Sequence, residues 1–191
     1  MKNLRKFVGL ILLTMVVVHL AGCEITTPLA PPPQLTQEEV VLLTSHSWGG
    51  NCVARWRDGA VIEVYDETNF PLLEEVLNDW NEVLSGSIFL TTTDNPNEAE
   101  VTIVFGSLSS DGQAEIKWHN DLSFYEGRVI IDPIGGRNNL AIYKHEFGHI
   151  VGVYNHFAAG LMAAVVTSEE IDQEVKNYLK LLYSVPIGYC F

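Results

Sequence analysis

The sequence predicts one α/β domain of the α+β kind, and three observations predict it. β-type runs lie at 52–57, 60–65, 88–92, 100–105, 113–119 and 128–132. Segments of helical period at 71–86, 138–152 and 167–183 interrupt or follow them. The chain has 191 residues at 47% hydrophobic content, enough for one core, and no repeat marks a second domain.

The amino terminus reads as an address rather than as fold. Met1 to Lys6 is basic, and 7–20 is an apolar run too short for a membrane span of roughly 20 residues. It ends in Leu20-Ala21-Gly22-Cys23, which resembles the bacterial lipobox. That resemblance implies cleavage before Cys23, lipidation of Cys23, and a protein tethered to a membrane of the cell envelope, facing outside the cytoplasm. A plain secreted protein or an uncut anchor are the alternatives. The expected organisation is therefore a signal peptide at 1–22, a lipidated, proline-rich tether at 23–47, and the folded domain at 48–191.

Loss of the signal removes three bases and no acids, which moves the formal charge from −13 to −16. Such a surface argues against a nucleic-acid partner. Once Cys23 is assigned, Cys52 and Cys190 remain, and an even remainder in an exported protein predicts a disulfide. A free Cys52 thiolate that blocks a metal site is the competing reading.

Within the domain, Thr36-Gln37-Glu38-Glu39 has the form of a capping box and allows a short helix. Asp58-Gly59 predicts a hairpin between 52–57 and 60–65. Pro71 opens an amphipathic helix with Leu72, Leu73, Val76, Leu77, Trp80, Val83 and Leu84 on its apolar stripe and Gly86 as its stop. Asp94-Asn95-Pro96-Asn97 turns the chain between two further strands. Asn138 or Asn139 caps the next helix and Gly152 ends it. Thr167-Ser168-Glu169-Glu170 is expected to cap a last helix that runs to about residue 183.

His145-Glu146-Phe147-Gly148-His149 carries the chemistry. A helix turns about 100° per residue, so His145 and His149 stand one above the other on one face, where two imidazoles can grip one metal ion. Glu146 points to the side of that face, within reach of a water beside the metal rather than of the metal itself. Two unrelated histidines beside a glutamate is the competing reading. His119, alone at a strand end, is read as surface or core.

With Gly152, Asn155-His156 and Leu161-Met162 downstream, this stretch resembles the metzincin clan of zinc peptidases, in particular its matrixin-like members. The resemblance implies a twisted mixed sheet with an active-site helix and a C-terminal helix, one catalytic Zn2+, and Gly152 and Met162 as structural turns. The family places its third ligand where this chain has Asn155, and His156 stands one residue late. His156 is expected to bind the metal through a local bulge, with Asn155 or a glutamate at 169 or 170 as alternatives. No tyrosine follows Met162 at the family spacing. The implied activity is that of a monomeric, membrane-anchored endopeptidase. Glu146 is its general base, and peptide substrates lie along an edge strand near 113–118. A pocket at 157–164 would favour apolar side chains. The competing hypothesis is a non-catalytic binding lipoprotein with a partial metal site.

Overall fold

The structure, a computed structural model, describes residues 33–191. The expected signal, Cys23 and most of the proline-rich spacer lie outside the described residues. Among those described, no helix is long and apolar enough to cross a membrane.

Among the described residues nine elements follow one another. They are α1 (Gln37–His46), β1 (Val61–Asp66), α2 (Leu73–Leu84), β2 (Phe89–Thr92), β3 (Val101–Phe105), β4 (Gly112–Trp118), β5 (Phe124–Ile131), α3 (Leu140–Ile150) and α4 (Gln173–Ser184). The strands form one mixed sheet in the order β2-β1-β3-β5-β4, in which only the β4–β5 pairing is antiparallel. Ile62, Val64, Val101, Ile103, Val129 and Ile131 alternate onto one buried face, as a strand's two-residue period requires. That face is covered by helices, with α3 against β4 and β5 and α2 between α3 and β2. β4 is thus an antiparallel edge strand directly beside α3.

α2 keeps Leu73, Val76, Leu77, Trp80 and Leu84 buried, and ends at Ser85 and Gly86, both with positive φ. The turn at 94–97 carries the chain across β1, since β2 and β3 meet opposite sides of that strand at Val64.

Three expectations need correction. Residues 52–57 are not an arm of a hairpin. Val53 to Trp56 are all buried, which a strand with one wet face cannot be. Val53 exchanges backbone bonds with Gly188 and Tyr189, and Arg55 with Leu122 and Phe124. Asp58 is used to hold the buried Arg55 guanidinium with both carboxylate oxygens, at 2.8 and 3.1 Å.

The last helix begins at Gln173, not near residue 168. Ser168 instead accepts from the Glu170 N–H in a local turn, and Asp172 at the N-cap turns its carboxylate away to the Leu161 N–H at 2.8 Å.

The folded body also starts earlier than residue 48. The capping box at Thr36 forms with both of its bonds, and α1 packs on α4 with Leu43 fully buried. A ten-residue helix is marginal alone, so this contact is what keeps it folded.

Cys52 and Cys190 are disulfide-bonded across 138 residues of sequence. Closing so large a loop constrains the unfolded chain strongly. A Cys52→Ser, Cys190→Ser double variant is expected to lose about 2–5 kcal/mol of stability in urea unfolding, and reductant is expected to lower the parent to the same midpoint.

Candidate metal centre

The centre is built on α3, and every residue from Ala141 to Ile150 is buried. Asn139 caps the start, its side-chain oxygen accepting from the Ile142 N–H. The other end is harder to satisfy, because its carbonyls face protein rather than water. The Phe147 and Gly148 carbonyls accept from the Val151 and Val153 N–H groups. Beyond them, side chains take over. Trp48 Nε1 donates to His149 O at 3.1 Å, Trp56 Nε1 to Ile150 O at 2.8 Å, Tyr183 Oη to Val151 O at 3.0 Å and Tyr178 Oη to Gly152 O at 3.0 Å. Trp80 Nε1 adds a bond to Lys144 O, while the Lys144 ammonium pairs with Asp79 at 2.7 Å and reaches Glu75 at 3.5 Å.

His145 and His149 project from the same face of this helix. Gly152, at φ 127°, turns the chain back, and His156 joins them. One ligand atom from each histidine lies within 4.8 Å of the others. The Nε2 of His145 is 3.2 Å from the Nε2 of His149 and 3.2 Å from that of His156. The edge of a tetrahedron with metal–nitrogen bonds of about 2.05 Å is about 3.3 Å, so the two separations from His145 match edges of one such site, and the third pair lies within 4.8 Å.

The protonation of the pair on α3 follows from its partners. His145 Nδ1 meets Leu161 O and His149 Nδ1 meets Val153 O, each at 2.7 Å. A carbonyl oxygen only accepts, so each Nδ1 carries the proton and each Nε2 an open lone pair. Burial lowers the pKa of all three histidines, and burial together with the neighbouring His145 takes His149 down to about 3. Neutral imidazoles aimed at a common point are the state that binds a metal.

Asn155 does not face this point. Its amide donates to Ser45 O at 2.7 Å, on the last turn of α1. Glu169 and Glu170 are exposed and not part of the cluster, and the His119 ring lies tilted at 30° against that of Tyr125, with centroids 4.5 Å apart. Met162 is fully buried beneath α3, where a Cβ on Gly148 would come within 2.2 Å of its sulfur. Position 148, just before His149, can therefore only be glycine without displacing Met162.

Glu146 faces Gly112 at the start of β4, where a Cβ would come within 2.6 Å of its Oε1. Burial alone raises its carboxyl to about 8. With the three histidines it lines a cleft of about 750 Å³ whose walls include Trp48, Gln113, Tyr154 and Val165. Of the loop expected to form a specificity pocket, only Ala164 lines this cleft, joined by Val165 and Val166 beyond it.

Several contributors carry no local signal in the sequence. Leu161 supplies a carbonyl to His145, and Asp172 fixes the Leu161 N–H at 2.8 Å. Trp48 and Gly112 border the cleft from distant parts of the chain. No known protein family matches the chain, and no curated protein is similar to it at a significant level.

Gly148→Ala is expected to cost about 1–3 kcal/mol in thermal or urea unfolding, because the added methyl meets Met162 and Trp80, both fully buried, and one of them must shift. The metal-free protein is expected to lose stability in both pH directions. The folded chain holds the Glu146 proton up to about 8 against an ordinary 4.5, so stability falls as pH rises between those values. It resists protonation of His149 from 6.5 down to about 3, so stability also falls as pH drops through that window. Urea midpoints across pH should show Glu146→Gln removing the alkaline loss and leaving the acid one.

Proposed function

We propose that the chain is a zinc-dependent peptide hydrolase of metzincin type, carried on a lipid anchor at Cys23. The observation that carries this reading is the convergence of three neutral imidazole nitrogens beside a buried carboxylate at the floor of an open cleft. Imidazole ligands suit zinc, copper, iron and nickel. The order His145-Glu146, His149, Gly152, His156 and Met162 favours zinc and hydrolysis among these. A zinc ion at this point supplies a Lewis acid and makes hydroxide available from water near pH 7.

The protein's part is proton transfer and placement. Glu146 takes the proton of the attacking water and delivers it to the leaving amine, a step worth about 10² to 10⁴ in rate. With a cation held by His145, His149 and His156, the Glu146 carboxyl would fall below the raised value that burial imposes and would be ionised to act as a base. The unpaired edge of β4 offers its main chain to an extended substrate, running past Gln113 toward Glu146. Uncharged walls at Trp48, Tyr154, Ala164 and Val165 suit apolar side chains.

Zinc analysis with a peptide-library cleavage assay tests the reading. About one zinc per chain is expected, with cleavage that Glu146→Gln abolishes while zinc remains. Full cleavage by Glu146→Gln would remove the mechanism, and a zinc-loaded parent that cleaves nothing would leave a binding lipoprotein. Radiolabelled palmitate in the expressing bacterium should enter the parent and not Cys23→Ala.

A further inference from the structure

His145 and His149 are held by a helix, but His156 follows a glycine turn in a loop. The fixings of that loop lie on the last turn of α1. The Tyr154 N–H donates to His46 O at 2.7 Å. The Asn155 amide donates to Ser45 O at 2.7 Å, and His46 Nδ1 donates back to Asn155 O at 3.0 Å. The His46 ring stacks on Phe157 with centroids 3.9 Å apart and planes within 1° of parallel. Tyr178 closes the arrangement, its hydroxyl lying 2.9 Å from His46 O and 3.0 Å from Gly152 O.

Residues 154, 155 and 157 are thus tied to 45–46 while the side chain between them, His156, is left to face the other two histidines. We propose that the end of α1 is a clasp for the third ligand, with His46 and Asn155 as positioning residues that set the place of His156 without touching the metal. The proposal rests on the three-histidine centre and adds to it a requirement from outside the ligand segment. It accounts for the extra residue after the glycine turn: Asn155 is occupied by the clasp, and the imidazole arrives one position later.

Cobalt(II) is a suitable probe, because its visible absorption reports the number of nitrogen ligands independently of any peptide cleavage. The full chain, stripped of metal and titrated with Co2+, would be compared with Asn155→Ala, His46→Ala, His46→Asn and His156→Ala. Asn155 is exposed, so its truncation opens no core. Asn155→Ala and His46→Ala are expected to weaken cobalt binding about 10- to 100-fold and to move the spectrum toward that of His156→Ala. His46→Asn, whose amide nitrogen can take the place of Nδ1, is expected to recover most of the affinity. Parent-like affinity and spectrum in both alanine variants would overturn the clasp and leave the centre standing. Weakened binding with an unchanged spectrum and no recovery in His46→Asn would also overturn it, as general destabilisation. A parent that takes up no cobalt would overturn the centre itself and the clasp with it.

Discussion

The rest of the structure depends on the burial of α3 and on what that burial demands of its carbonyls. A buried polar group left without a partner costs about 1–3 kcal/mol, and at the end of this helix the four carbonyls from His149 to Gly152 each accept from a side chain, His149 O accepting from the Gly152 N–H as well. Trp48, Trp56, Tyr183 and Tyr178 serve them, one from the loop after α1, one from the buried segment before β1, and two from α4. Among the described residues no buried side-chain polar atom is left without a partner. These aromatic residues therefore do two jobs, filling the core and orienting the ligand helix within it.

The same burial creates an electrostatic tension at the centre. It keeps the histidines neutral and pushes Glu146 toward its protonated form. Two Nε2 lone pairs facing each other at 3.2 Å have no proton between them to make the contact favourable. A cation relieves both conditions at once, since it accepts the lone pairs and stabilises the carboxylate. The protein folds around a place where its own groups are incompletely matched, which is common where a local rule is broken for chemistry.

How much of this was legible depended on how local the cause was. The histidine pair on one face of α3, the glycine turn and most of the stripe of α2 are set by spacing within a few residues and stand where the sequence predicts them, while Leu72, just ahead of α2, is exposed. The hairpin at Asp58-Gly59 fails because Arg55 claims the Asp58 carboxylate and because residues 53–56 pair with segments more than sixty residues away. The start of α4 shifts because Asp172 serves a distant N–H instead of its own helix. His46 shows no local signal, as its partners Asn155 and Tyr178 lie 109 and 132 residues downstream in sequence.

The join between Cys52 and Cys190, with Val53 paired to Tyr189, bears on how the protein is made. Asp172, Tyr178 and Tyr183, which steady the loop after α3 and the end of α3 itself, follow all three histidines in the chain. Contacts so distant in sequence form late and slowly. A nascent chain that has already exposed all three histidines still lacks the scaffold that arranges them, so assembly of the centre must wait until residues 172–190 have also been made.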